Sequence, residues 1–535
     1  MSREPIVVVG AGPTGALLGI ELARRGADVR IIEKAPAPPK ESRANGVQSR
    51  TLELFARLGI VDELLSIGNR VRAFNYYSEF RRIMRLDLGH IEGPYPFMLQ
   101  VPQYETQRVL DGYLERLGVP IERGVEVVGM SHDHNGVKLT ASRRDSGSQE
   151  VSASYVVGCD GAHSTVRHQL QMPFEGQPYE WDWLGADVEV DWELPDSEVN
   201  IFISTSGVLA CLPFGGGRWR LLSPKVANGS NEDRRPDLEH IRAIVELRGP
   251  ASMKIDKPTW IGAFRASRRS APHYRQGRVF LAGDAVHIHS PAAGQGMNTG
   301  LGDAANLGWK LGLVATGQAP ESLLDTYEPE RAPVAKGVIA LTHGIMQVFD
   351  STTPWRGLRD RVLPLASGNR LVQRQAASRF SQLRVSYRGG PLAPAQPRSF
   401  GRSPALRAGD RAPQITDLVV NGEPTSLFEL ISRPEHTVLL HESRSGVSGE
   451  LEHFLDAIVV FRLGSCEPGE TGEATVSDPS GQLRKRYGLK PGEVCAIRPD
   501  GYVGYIGNAA GLADYLSSCL LVRSRRGNEL TLSGR

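Results

Sequence analysis

Cysteine is scarce in this 535-residue chain. The five present (Cys159, Cys211, Cys466, Cys495, Cys519) include no Cys-x-x-Cys and none at ligand spacing from a histidine, so neither a zinc site nor a dithiol redox centre is expected. Net charge is also small, a formal +2, which predicts no nucleic-acid or membrane partner. No apolar stretch is long enough for a membrane span. Met1-Ser2-Arg3-Glu4 leads at once into an apolar strand, leaving no room for a signal peptide, so the expected compartment is the cytoplasm. The length exceeds one ordinary core, and two or three domains are expected.

What is present begins with a strand and the turn behind it. Pro5-Ile6-Val7-Val8-Val9 has the β-branched texture of a buried parallel strand and runs into Gly10-Ala11-Gly12-Pro13-Thr14-Gly15. Apolar residues at helical spacing then continue from Pro13 to Arg25, stopping at Gly26. Between a strand and a helix, Gly10 permits the tight turn, Gly12 lets a pyrophosphate approach, and Gly15 with Gly19 lets the helix lie close on the sheet. A second strand, Asp28 to Lys34, carries Glu33, whose carboxylate suits ribose hydroxyls of an adenosine without a 2′-phosphate. The turn alone leaves NAD and FAD open.

A proline-rich loop and Ser42-Arg43-Ala44-Asn45-Gly46-Val47 precede a helix from near Ser49, and Arg43 and Arg50 flank the loop as candidate phosphate partners. Short strands follow over 71–100, then a helix from Thr106 to Leu117. Val119 to Val128, Val137 to Ala141 and Val151 to Val157 read as strands of a small sheet. The last delivers Asp160-Gly161 into a helix start with Arg167. From Tyr179 to about Trp260, alternating aromatic-rich strands suit an antiparallel sheet with one face toward the first domain. Phe97, Phe202, Phe214 and Trp219 are candidates to line a substrate pocket there, and Arg218, Arg220 and Arg265 are candidate anion partners.

A fully apolar strand then ends at Gly283-Asp284. After a loop with Pro291 comes Gly294-Gln295-Gly296-Met297-Asn298 and another helix, whose N-terminus would stabilise negative charge on an isoalloxazine. His287 and His289 have no third ligand nearby in sequence, so no metal site is expected. Helical texture continues to about 385, residues 389–413 read as a proline-rich linker, and strands at Thr437 to His441, Ala457 to Phe461 and Glu493 to Arg498 suggest a compact α/β module ending near Leu521. Arg523 to Asn528 reads as a frayed basic tail.

Gly10-x-Gly12-x-x-Gly15 with Glu33, Asp160-Gly161 with Arg167, and Gly283-Asp284 followed by Gly294 to Asn298 together resemble the single-component (group A) flavoprotein aromatic hydroxylases over about residues 4 to 385. The C-terminal part, with Gly409-Asp410-Arg411-Ala412-Pro413 and Arg498-Pro499-Asp500-Gly501-Tyr502, is similar to the thioredoxin-like appendage of phenol hydroxylase and of polyketide-tailoring hydroxylases, here without a redox dithiol. The resemblance implies an α/β chain with a Rossmann-type FAD-binding domain (1–73, 98–178, 262–388), an inserted antiparallel-sheet substrate domain (74–97, 179–261), a linker (389–413) and a thioredoxin-like domain (414–535). It implies FAD as cofactor, held by Gly10, Gly12, Pro13, Thr14, Gly15, Glu33, Lys34, Arg43, Gln103, Asp160, Gly283, Asp284, Pro291, Gly294, Gly296, Met297 and Asn298. Pro291, Gly294 and Gln295 are the flavin-proximal candidates on the reacting side. With no second glycine fingerprint, NADPH or NADH is expected to dock transiently.

The implied reaction uses O2, through a flavin C4a-hydroperoxide, to hydroxylate an electron-rich aromatic ring. The long C-terminal module and the aromatic-rich middle sheet favour a bulky polycyclic or polyketide-type phenol over a small benzoate. Baeyer–Villiger oxygenation, small-phenol catabolism and a non-catalytic flavoprotein are the alternatives. Trp181-Asp182-Trp183 partly matches a halogenase signature, but Gly185 and Ala186 replace its Ile and Pro. The sequence leaves oligomeric state open, a homodimer included.

Overall fold

The computed structural model describes residues 4–38, 44–143, 147–224, 236–290, 294–348, 355–393, 406–441, 454, 458–463 and 474–518. Strand Ile6–Val9 is buried along its whole length. Its β-branched side chains have no solvent side to alternate with, the pattern of a parallel strand covered on both faces. It sits between Val29–Glu33 and Tyr155–Gly158, with Val8 level with Ile31 and with Val157. The full sheet runs Arg275–Gln276, Val279–Leu281, Tyr155–Gly158, Ile6–Val9, Val29–Glu33, Ile121–Arg123. Only the edge strand Arg275–Gln276 is antiparallel, so the turns that carry the glycine and acid motifs leave the sheet on one side.

Helices Pro13–Ala23 and Gly296–Ala315 lie across each other more closely than side chains would allow. A Cβ at Gly300 would stand 2.5 Å from Thr14 Oγ1, and one at Gly308 2.5 Å from Glu21 Cβ. Residue numbers rise together along both helices, so the helices are parallel and both N-termini open on the same cleft. Two expected strands are divided. Gly124, at φ +71°, breaks Val119 to Val128 into Ile121–Arg123 and Val125–His132. At Ser154, whose N–H donates to Pro5 O, the chain changes sheets between Gly147–Ala153 and Tyr155–Gly158. The helix expected from Thr106 spans Gln103–Arg116.

The middle sheet has eight strands in the order His287–Ile288, Lys254–Ser270, Glu175–Asp191, Arg218–Pro224, Gly207–Gly215, Glu198–Ser204, Ala73–Ser78, Arg81–Asp87. One face carries Leu184, Ala186, Phe202, Leu209, Trp219 and Leu221, buried with Ile241, Ile244 and Val245 of helix Leu238–Arg248. The other face is covered only in part. Phe74, Tyr76 and Val199 pack against Ala377 and Phe380 of helix Arg370–Phe380. Across the remaining strands of that face, Arg220 is level with Asp187 and Trp260, and Leu222 with Gly185 and Gly262.

A seven-stranded sheet, Glu423–Thr425, Leu418–Val420, Ala474–Ser477, Ile458–Leu463, His436–His441, Glu493–Ile497, Val503–Asn508, forms the C-terminal part. Trp309 and Leu313 of the long helix Gly296–Ala315 enter its core beside Val438, Val494 and Leu512. Around them lies a closed set of buried charges. Arg498 donates to both Glu330 oxygens (2.7 and 2.8 Å) and to Asp500 (2.6 Å), while Lys310 donates to Glu330 (2.8 Å). Burial alone would raise the Glu330 pKa, but Arg498 and Lys310 outweigh it and hold the carboxyl below its ordinary range. Of the expected linker, 394–405 lie outside the described residues, as does the 523–528 tail. The described ends are tied down: Tyr387 N–H donates to Gly409 O, and Arg388 pairs with Asp410 at 2.5 Å.

Candidate active site

The first turn separates two reasons for glycine. Gly10 has φ +100°, and a Cβ there would stand 2.5 Å from Cys159 O of the neighbouring strand; at Gly15 it would stand 1.9 Å from Gly10 O. The protein's own packing therefore demands both glycines. At Gly12 a Cβ would meet nothing within 4 Å, so the open cradle faces outward, as an approaching pyrophosphate requires. Pro13 occupies the first helical turn, where its missing N–H costs nothing, and Thr14 Oγ1 sits against Gly283 and Gly300. Glu33 accepts N–H bonds from Ala11 and Ala35, both 2.8 Å, which fixes its carboxylate beside the turn. Lys34 is exposed, and Arg43 lies outside the described residues.

Arg50 behaves differently from the phosphate partner expected of it. Its guanidinium donates to Glu53 (3.0 Å) and Asp500 O (2.8 Å) and lies 4.7 Å from the Tyr502 ring centre. It fastens the C-terminal part instead.

The other turns converge on the same cleft. Asp160 Oδ2 accepts the Val166 N–H (3.1 Å) at a helix start, while its Oδ1 is buried without a protein partner. Burial raises the Asp160 pKa, opposed by the Ser164 hydroxyl and nearby N–H groups. Arg167 donates to Ala285 O (2.8 Å) and Ala162 O (2.9 Å), strapping this turn to the next. There, Gly283 N–H donates to Asp303 (3.1 Å), which also holds His287 (2.7 Å) and Arg331 (2.7 Å). Asp284 is exposed beside them.

At the far end Asn298 works as a staple. Its Oδ1 accepts Gln48 N–H at 2.8 Å, and its Nδ2 donates to Gly46 O and Gly294 O, each 2.8 Å. The short strand Gly46–Val47 is thereby fixed to the N-terminus of the long helix. Gln103 adds a second tie, accepting Ala44 N–H at 3.0 Å. Gly294 is left-handed (φ +59°) and Met297 half-buried. The Gln295 amide is used within the protein, donating to Phe380 O (2.9 Å) and accepting from Gln382 (2.7 Å), so its side chain is a positioning group. Pro291 lies outside the described residues. His289 Nδ1 contacts Ser290 O at 2.8 Å, its Nε2 is buried without a protein partner, and burial pushes its pKa down to about 4.

The middle sheet meets this end through Arg220. Its guanidinium donates to both Asp187 oxygens (2.6 and 2.7 Å) and to Asn45 Oδ1 (2.6 Å), lying 5.5 Å from the Phe214 ring centre and 4.9 Å from that of Trp260. Of the aromatic candidates, only Phe214 joins this group. Phe202 and Trp219 are on the opposite face under helix Leu238–Arg248, and Phe97 packs with Tyr95 and Arg70 at the core of the parallel sheet. The pleat explains the difference: Trp219 and Arg220 are adjacent, so their side chains point oppositely. Arg218 donates to Thr259 and Arg265 to Asp182, both exposed.

Asn45, Gln48, Asp187 and Trp260 escaped the sequence reading. The small-residue sites at Gly185 and Gly262, in strands otherwise rich in large side chains, were the one available signal for Trp260.

No helix among the described residues is long and apolar enough to cross a membrane. A family model described as an FAD binding domain matches residues 3–342. The chain is 33% identical over 531 residues to 6-methylpretetramide 4-monooxygenase of Streptomyces rimosus, covering 95% of this chain and 91% of that one. It is 31% identical to pentachlorophenol 4-monooxygenase of Sphingobium chlorophenolicum, with 93% of each covered. The solved anhydrotetracycline hydroxylase from Streptomyces rimosus superposes with a TM-score of 0.79 at 30% identity, covering 97% of this chain and 99% of that one. The open cradle at Gly12 and the unpartnered Asp160 and His289 atoms fit such a cofactor, and the chain belongs to the FAD-binding aromatic monooxygenases.

Proposed function

We propose that this chain binds FAD along the cleft between the two helix N-termini and hydroxylates a bulky, polycyclic phenol of polyketide type, with NADPH or NADH as reductant and O2 as co-substrate. The substrate class is supported by the relatives named for pretetramide and anhydrotetracycline. The Asn298 staple carries the reading, because it draws residues 46–48 and 294–298 together beside the parallel helix N-termini. When bound, FAD supplies hydride acceptance and transfer of one oxygen atom from O2.

The chain's own residues supply the rest. Gly10, Gly12, Pro13, Thr14 and Gly15 form the pyrophosphate cradle, with Glu33 and Lys34 at the adenosine ribose and Asp284 at the ribityl chain. Gln103 and Asp160 would complete the grip, together with Arg43 as the family resemblance implies. Gly294, Gly296, Met297 and Asn298 would line the ring, and Pro291, outside the described residues, is assigned to the reacting side by the family resemblance alone. His289, kept neutral by burial, can accept a hydrogen bond at Nε2. Phe214, Leu222 and Trp260 exclude water from the reacting centre. Residues 414–518 suit a thioredoxin-like module, since parallel His436–His441 and Ile458–Leu463 adjoin antiparallel Glu493–Ile497.

The test is purification of the yellow holoenzyme and measurement of NADPH and NADH oxidation with and without polycyclic phenols, followed by product mass. Stimulated oxidation with a gain of one oxygen atom is expected. Oxidation indifferent to every phenol, releasing only hydrogen peroxide, would reject it. In parallel, Gly12→Val should abolish FAD uptake while the apoprotein still folds, losing only a favourable helix N-cap.

A further inference from the structure

We propose that Trp260 is the residue that selects fused-ring over single-ring substrates, with Trp183 donating to a ring oxygen of the same ligand; this deepens the hydroxylase reading above and rests on it. The indole of Trp260 lies on two glycines. A Cβ on Gly262 would stand 2.6 Å from its Cζ2, and one on Gly185 2.8 Å from its Cζ3. Any larger residue at either position must push the ring off the sheet. The glycines thus form a seat that lets an indole lie over the strands instead of standing on them.

Three further observations give that seat a ligand. Gly185, Gly262 and Trp260 lie on the face that carries Arg220, whose guanidinium reaches Asn45 at the cofactor cleft. Trp260, Leu222, Phe264 and Phe214 are all only half-buried, unlike their fully buried counterparts on the other face. Trp183, level with Phe264 on the same face, keeps a buried indole N–H that donates to no protein atom. A buried donor without a partner costs stability unless something supplies an acceptor. The half-exposed Trp260 indole, with the Arg220 guanidinium 4.9 Å from its ring centre, and such a donor together match a planar fused-ring hydroxyquinone: stacking area increases with the number of rings, and a quinone or phenolate oxygen can take the N–H.

The test titrates the FAD-loaded enzyme with a dihydroxyanthraquinone and with phenol, following the flavin visible spectrum and probe-stimulated NADPH oxidation. Wild type should prefer the anthraquinone. Trp260→Ala and Gly262→Ala should each weaken the anthraquinone about tenfold, the scale of one lost ring–ring contact, while phenol changes little. Trp183→Phe should weaken the anthraquinone while leaving its ring stacking intact. If Trp260→Ala fails to yield yellow protein, Trp260→Leu and Gly262→Ala carry the same comparison. An unchanged anthraquinone-to-phenol ratio in the Trp260 and Gly262 variants would overturn the proposal while leaving the hydroxylase reading intact. Wild-type holoenzyme that responds to neither probe nor to any other phenol would sink both.

Discussion

The two faces of the eight-stranded sheet are built from the same strands and similar side chains, yet do opposite work. On one, Trp219, Leu221 and Phe202 are sealed beneath helix Leu238–Arg248. On the other, Leu222 and Trp260 are only half-buried, and their neighbour Arg220, itself buried, reaches Asn45. A residue's type did not decide its role here. Its parity along the strand did, together with which stretch of each face a helix covers.

That contrast can be broken at adjacent positions. Trp219→Ala should cost the most, about 3–5 kcal/mol of unfolding free energy, because the cavity it leaves is enclosed; urea unfolding measures it, and what folds should retain near-normal substrate affinity. Next comes a pH effect at the sheet edge that follows His287–Ile288. His289 titrates near 4 when folded and near 6.5 when unfolded, so the unfolded chain binds more protons between those values. Its contribution is complete above about pH 6.5 and is lost as pH falls toward 4, at most about 3 kcal/mol. Unfolding of the apoprotein across pH 4–7 should show this acid limb, and His289→Gln should flatten it.

Arg220→Lys keeps the charge but loses the fork that grips Asp187 and Asn45 together. It should lower kcat/KM about 10- to 100-fold, roughly 1.4–2.7 kcal/mol, and lower the unfolding midpoint as well, because the fork it replaces is buried. Leu222→Ala should have the smallest effect on folding, under about 1.5 kcal/mol because the side chain is only half-buried. If it instead matches the enclosed Trp219, the two faces are not different in kind.

The sequence was most legible where the chain satisfies its own local rules. The buried strand Ile6–Val9, the turn at Gly10 to Gly15 and the helix behind it follow from β-branched runs, glycine and helical spacing. Gly283-Asp284 and the Gly294 to Asn298 helix start were readable for the same reason. What could not be read was orientation between distant segments. Nothing local says that the Asn298 amide spans to Gly46 and Gln48, some 250 positions away, or that Arg50 turns to Asp500. Nor could Trp219 be told from Trp260: both sit in alternating aromatic strands, and when both faces of a sheet are apolar the period of two marks no inside. The glycines under Trp260 carry that information only once the register with Gly185 is known.

The most direct test is a crystal structure of the enzyme with FAD and an aromatic ligand bound. The flavin ring is expected between residues 45–48 and 294–298, with the ligand between that ring and the Leu222, Trp260 and Phe214 face. A ligand seated on the Trp219 side, or FAD bound away from the Gly12 cradle, would contradict that placement.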